Sequence, residues 1–197
     1  MFSTLWGNLV RGHLQTVGLA LGRTNLSPNW FTIVGLLLNV VVAAVIASGN
    51  LTLGGVLMLG AGAFDMLDGA VARATKQITR FGGFLDSTLD RYSEAAIYFG
   101  LLVYFERETS NHTAVLLIYA AAIGSLMVSY ARARAEAAGL RAEVGLFARP
   151  ERVVLLSVFL LLQRPFWAVA ILALLTNATA LQRIMHVWRV TREPEQR

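Results

Sequence analysis

Cysteine is absent from the 197-residue chain, which excludes disulfide frameworks, zinc–thiolate sites, iron–sulfur clusters and thiol nucleophiles. Charge is scarce too: 15% of residues are Asp, Glu, Lys or Arg, against about 25% in an ordinary soluble domain. Soluble enzyme folds, disordered tails and nucleic-acid-binding domains are thereby disfavoured, and no nucleic-acid partner is expected. The three histidines, His13, His112 and His186, are isolated from one another and are assigned no chemistry. Only four aspartates occur, and all lie between positions 65 and 90.

What is present is apolar. Hydrophobic residues make up 56% of the chain and the mean hydropathy is +0.58, the composition of a membrane protein. Six spans are expected, at 29–49, 52–74, 84–105, 112–135, 150–163 and 165–188. Each is near the ~20 residues that a helix needs to cross a bilayer, except the short fifth. Arg164-Pro165 splits the last long run, and proline suits the first turn of a new helix, so a hairpin is expected there.

The N-terminal segment lacks the basic start and cleavage site of a signal peptide, and Arg11, His13 and Gln15 interrupt any spanning run. Leu5, Leu9, Val10, Val17 and Leu21 recur at near-helical spacing, which favours a helix lying in the interface. No internal repeat or low-complexity linker occurs. The expected fold is an all-α integral membrane domain over 1–197, with an N-terminal interfacial amphipathic helix at 1–24, six transmembrane helices at 29–188 and a polar tail at 189–197.

Drawn on that plan, all but Arg107 and Arg164 of the 17 basic residues fall on one side. The positive-inside rule then puts both termini and the two long basic loops in the cytoplasm, with the protein in the cell membrane. Trp6, Trp30, Trp167 and Trp188 fall at span ends or in the N-terminal segment, where amphipathic rings prefer the headgroup layer.

Carboxylates at membrane depth are functional by default, because each costs a few kcal/mol or more unless paired or coordinated. Asp65 sits about 14 residues from the outer end of the second span, and at ~1.5 Å per residue that leaves it in the cytoplasmic half. Asp86 and Asp90 enter the third span from the same side. Spacings of three and four put each pair, Asp65/Asp68 and Asp86/Asp90, on one helical face, so antiparallel helices can aim all four at one point. Four close anions cannot stay ionised in a low-dielectric site without cations. Arg73, Arg80 and Arg91 are too few to balance them as plain ion pairs. Metal is the economical answer, and a donor set of hard oxygens favours Mg²⁺ or Mn²⁺, two ions clamping phosphoryl chemistry.

The residues between the acids sharpen this reading. Asp65-x-x-Asp68-Gly69-x-x-Ala72-Arg73, eight residues, then Gly82-x-x-x-Asp86-x-x-x-Asp90 resembles the signature of the CDP-alcohol phosphotransferase family at every specified position. Eight fixed residues at average usage would match by chance on the order of once in ten million chains of this length. Pro28-Asn29-x-x-Thr32 resembles an element that precedes the first span in many members. The resemblance implies that Asp65, Asp68 and Asp86 hold the metals and CDP moiety, and that Asp90 is the base with metal contact. Gly69, Ala72, Arg73, Gly82, Pro28, Asn29 and Thr32 would complete the CDP site. Small residues admit a nucleotide close to a helix, and Arg73 can meet a diphosphate.

A second cluster, Tyr130-Ala-Arg132-Ala-Arg134 followed by Arg149-Pro150-Glu151-Arg152, is similar to bacterial phosphatidylinositol phosphate synthases within that family. There a lysine and two arginines hold the acceptor's phosphate, and the matching positions are Arg132, Arg152 and Arg183. Arginine stands at 132 where lysine is usual, which keeps charge but alters geometry. Arg134, Arg141 and Arg149 divide between phosphate contact and lipid-headgroup contact. The implied reaction is metal-dependent transfer of a phosphatidyl group from CDP-diacylglycerol to an alcohol phosphate, preferentially L-myo-inositol-1-phosphate, with release of CMP. Glycerol-3-phosphate is the rival acceptor. The resemblance also implies a homodimer, for which Ala120-Ala-Ala-Ile-Gly124 offers a small-residue face. Two readings of other classes remain: a UbiA-like prenyltransferase, disfavoured by the residues between the acid pairs, and a divalent-cation transporter, which would not need Arg132, Arg152 and Arg183.

Overall fold

The computed structural model describes residues 27–74, 79–142, 144–145 and 147–192, with the backbone alone at 66–74 and 109. Among these residues every regular element is helical: α1 (Pro28–Ala47), α2 (Leu51–Ala74), α3 (Arg80–Tyr104) running into a π-helical turn (Phe105–Thr109), α4 (His112–Ala137), α5 (Arg149–Leu161) and α6 (Pro165–Arg192). Three of them, α1, α4 and α6, are long and apolar enough by length and composition to cross a membrane, and α2 adds an apolar stretch over Leu51–Asp65. The expected interfacial helix at 1–24 and the last five residues of the tail lie outside the described residues.

Local chemistry sets the helix starts. Pro28 opens α1 and Pro150 sits in the first turn of α5, positions where the missing N–H would be unsatisfied anyway. The Thr79 side chain accepts a hydrogen bond from Gly82 N at 2.9 Å, so α3 begins four residues before the expected span. Asn111 caps α4 by accepting from Ala114 N at 3.0 Å. At the other end of the bundle, Gln163 takes φ 57° and α6 starts at Pro165, so α5 and α6 form the expected tight hairpin. The C-terminal helix runs on to Arg192 rather than ending at 188. Arg192 lies over the Trp188 ring at 4.3 Å, a cation–π contact that ties the last turn down.

In packing, α1 lies along α3 and α4 along α6 over the longest contacts, while α2 joins α1 to α5. Ile46, Leu101, Ile118, Leu160 and Leu172 fill the centre. Leu37, Val41, Phe99, Leu116 and Leu174 are more than half exposed on the outside. Such a surface would aggregate in water and suits acyl chains. The interior also carries small polar groups, including Ser93, Ser125, Ser157, Thr176 and Thr179, with Tyr98 Oη and Ser125 Oγ joined at 2.8 Å. That pattern is what helix association in lipid requires.

One expectation is corrected here. The small-residue face of α4 is not open to a second copy: Ala121 and Gly124 are buried, a side chain at Gly124 would strike Thr176 and Asn177 of α6, and Asn177 Nδ2 donates to Ala120 O at 3.0 Å. Small residues let α4 and α6 approach within the chain, so that face is already used.

Candidate active site

Three helices bring acids and arginines to one end of the bundle. Asp65 lies in the second half of α2, Asp86 and Asp90 lie in the first three turns of α3, and Arg149 is the first residue of α5. The Arg149 guanidinium donates from Nη2 to Asp65 Oδ2 at 2.8 Å and from Nη1 to Asp90 Oδ1. All three side chains are about one-fifth exposed, at 16%, 20% and 22% for Asp65, Asp90 and Arg149. Asp65 and Asp90, 25 residues apart in sequence, thus share one cation. Arg91 also reaches Asp90, from Nη2 to Oδ2 at 3.4 Å, while its Nη1 bonds Ser129 Oγ of α4.

Two glycines make the convergence possible. A Cβ at Gly35 of α1 would lie 2.5 Å from Asp65 Oδ1, so only glycine leaves that carboxylate its place. A Cβ at Gly82 would lie 2.9 Å from Thr79 Oγ1 and 3.3 Å from Asn29 Oδ1, so the start of α3 meets the first turn of α1. Pro28, Asn29 and Thr32 therefore stand beside the first turn of α3, with Thr32 Oγ1 donating to Pro28 O at 3.4 Å. Asp86 is half-buried one turn before Asp90. Asp68, Gly69, Ala72 and Arg73 fall in the last turns of α2, and their side chains lie outside the described set.

The arginines expected at an acceptor phosphate are gathered at the same end, each held differently. Arg152 is almost fully buried and forms a two-pronged pair with Glu94, Nε to Oε1 at 2.7 Å and Nη2 to Oε2 at 3.1 Å, with Nη1 donating to Phe147 O at 3.2 Å. Arg183 of α6 donates to Val144 O at 2.9 Å and Val128 O at 2.5 Å. Arg132 pairs with Glu136 one turn on, at 2.7 Å, at an exposed position. Arg132 and Arg152 both lie close enough to Arg183 for their charges to act on it. A guanidinium has five N–H donors, so these bonds orient the arginines without exhausting them.

A small cavity is shared by Arg149 and the Glu94–Arg152 pair, lined also by Asn39, Tyr98 and apolar side chains. Glu94 was not singled out from the sequence, although it follows Asp90 by one helical turn and is the only acid in α3 after it. Gly35 carried no sequence signal.

No three His, Cys, Asp or Glu side chains among the described residues close on a point as metal ligands. The donor chemistry fits a hard cation all the same. The oxygens of Asp65 and Asp90 face one position that already holds a positive group, and carboxylate oxygens are the donors that a hard cation takes.

The comparisons agree with one another. The archaetidylinositol phosphate synthase of Methanothermobacter thermautotrophicus is 39% identical over 173 residues, 85% of this chain and 86% of that one. The phosphatidylinositol phosphate synthase of Mycobacteroides abscessus is 35% identical over 176 residues, 84% of this chain and 80% of that one. Crystal structures of the phosphatidylinositol phosphate synthase of Mycobacterium tuberculosis superpose with a TM-score of 0.83 at 32% identity. One has CDP-DAG bound and covers 89% of this chain and 93% of that chain. The other holds manganese and citrate, covering 89% and 88%. The model of the CDP-alcohol phosphatidyltransferase family matches residues 25–190, most of the chain and every acid and arginine of the site, and the protein belongs to that family.

Proposed function

We propose that this enzyme transfers a phosphatidyl group from CDP-diacylglycerol to L-myo-inositol-1-phosphate, giving phosphatidylinositol phosphate and CMP. The observation that carries the reading is the junction of the two charge groups: Arg149, which bridges Asp65 and Asp90, and the Glu94–Arg152 pair line one cavity. A donor diphosphate and an acceptor phosphate need such neighbours. The relatives' names share inositol phosphate and differ in the lipid part, which supports the acceptor, and a CDP-DAG complex of a relative supports the donor. Family membership sets aside the prenyltransferase and cation-transporter readings.

In this reading Asp65, Asp68, Asp86 and Asp90 hold Mg²⁺ or Mn²⁺, as the manganese in a relative supports. Bound there, the ions would neutralise the diphosphate and the departing CMP. Arg73, Gly69, Ala72 and Gly82, with Pro28, Asn29 and Thr32, admit and orient the CDP group. Arg132, Arg152 and Arg183 bind the acceptor phosphate, each guanidinium offering a planar fork. Asp90 takes the proton of the acceptor hydroxyl, whose oxygen attacks the lipid-side phosphorus. The bond from that phosphorus to CMP breaks, and CMP leaves with the electron pair.

In this reading the helices form one six-span bundle whose active end, like both termini, faces the cytoplasm of the cell membrane. CDP and a polar acceptor then arrive from water while acyl chains stay in lipid. A homodimer would have to use a face other than that of Ala120–Gly124. Glycerol-3-phosphate is the alternative acceptor, because it presents a phosphate to the same arginines. Purified protein given CDP-diacylglycerol and a panel of inositol phosphate, glycerol-3-phosphate, inositol and serine tests the proposal. Fastest CMP release with inositol phosphate is expected, and faster release with an unphosphorylated alcohol would refute it.

A further inference from the structure

Arg149 bridges two of the carboxylates read as metal ligands. Its two Nη atoms each reach a different carboxylate on a different helix, Asp65 on α2 and Asp90 on α3, instead of gripping both oxygens of one acid in the usual fork. Without a cation between them the two carboxylates would repel in this partly buried site. A metal ion held by the same two carboxylates would sit close to the guanidinium, and the two positive charges would repel in this partly buried site. We propose that the Arg149 guanidinium is the resident counter-cation of the acid cluster, competes with the divalent metal, and is released by it. This rests on the reading of the aspartates as metal ligands.

The geometry gives the release a destination. Arg149 begins α5, one turn before Arg152, and lines the cavity that Arg152 and Glu94 share. A guanidinium set free from the carboxylates stays tethered beside that cavity, where a phosphate oxygen is its natural partner. Metal loading would thereby supply a further positioning residue for a phosphate. A residue that only braced the helices would behave oppositely, since its removal would disorder the ligands and weaken metal binding.

Mn²⁺ titration of the full-length protein in detergent, read by the electron paramagnetic resonance of the free ion and without substrates, distinguishes these. Arg149→Gln should lower the Mn²⁺ Kd at least tenfold, equivalent to about 1.4 kcal/mol. Arg149→Lys, which keeps one charge but lacks the two-armed reach, should fall between Gln and wild type. Arg164→Gln, at the opposite end of the bundle, should leave Kd unchanged, and Asp65→Asn should lose binding. Lys keeps the site charged if the Gln variant folds poorly. Unchanged or weaker Mn²⁺ affinity in both Arg149 variants, with binding lost in Asp65→Asn, overturns the counter-cation assignment. Undiminished affinity in Asp65→Asn instead overturns the metal-ligand reading and the inference with it.

Discussion

Removing Glu94 should cost more stability than any other single loss of an acid from the described ion pairs outside the aspartate cluster. The Arg152 side chain is 3% exposed and that of Glu94 is 14% exposed, so water replaces the lost carboxylate poorly. Breaking a buried pair by deleting one partner leaves an uncompensated charge and costs roughly 3–5 kcal/mol. The Arg132–Glu136 pair has a similar N–O distance of 2.7 Å, yet its side chains are 48% and 51% exposed. A solvated i,i+4 pair of that kind is worth about 0.3–0.5 kcal/mol. Burial rather than distance decides the difference, which should approach tenfold in free energy.

The assay is a double-mutant cycle. Glu94→Ala, Arg152→Ala and the double variant are compared with Glu136→Ala by unfolding in detergent. The double variant should be less damaged than the sum of the singles by about 2 kcal/mol or more, because the charge left stranded by each single is then gone. Glu94→Gln should also raise the KM for the acceptor while leaving CDP-lipid affinity near wild type, since Arg152 loses the group that aims it. Additive effects, or a Glu136→Ala loss as large as that of Glu94→Ala, would refute the reasoning.

The other predictions concern chemistry and orientation. Asp90→Asn should abolish turnover while largely sparing CDP-lipid binding, because an amide keeps the size but takes no proton; near-normal kcat would remove Asp90 as the base. Arg183→Ala should lower kcat/KM for the acceptor about tenfold or more, at roughly 1.4 kcal/mol per tenfold, and an equal loss of donor binding would reassign it to the CDP site. Cysteines placed near Arg107 and Arg164 should be labelled from outside oriented vesicles and one near Arg141 should not, and the reverse pattern would overturn the cytoplasmic active site.

The sequence by itself marked the approximate positions of the described helices and the family signature. Apolar runs of spanning length fix where helices lie, because a helix satisfies its backbone hydrogen bonds within the segment itself in lipid. Pro165 marked a helix start for a purely local reason, its missing N–H. The aspartate spacing marked a site because carboxylates three or four residues apart share a helical face. Pairings across the bundle were beyond such local rules. That Arg149 bridges Asp65 and Asp90, that Glu94 neutralises Arg152, and that Gly35 clears space for Asp65 depend on how α1, α2, α3 and α5 meet. Only tertiary packing decides which of several arginines at one end lies against which acid. The small residues of α4 make the same point in reverse: Ala121 and Gly124 promised a close helix contact, and the fold supplied α6 of the same chain as the partner, because a tethered neighbour loses far less freedom on docking than a second copy would.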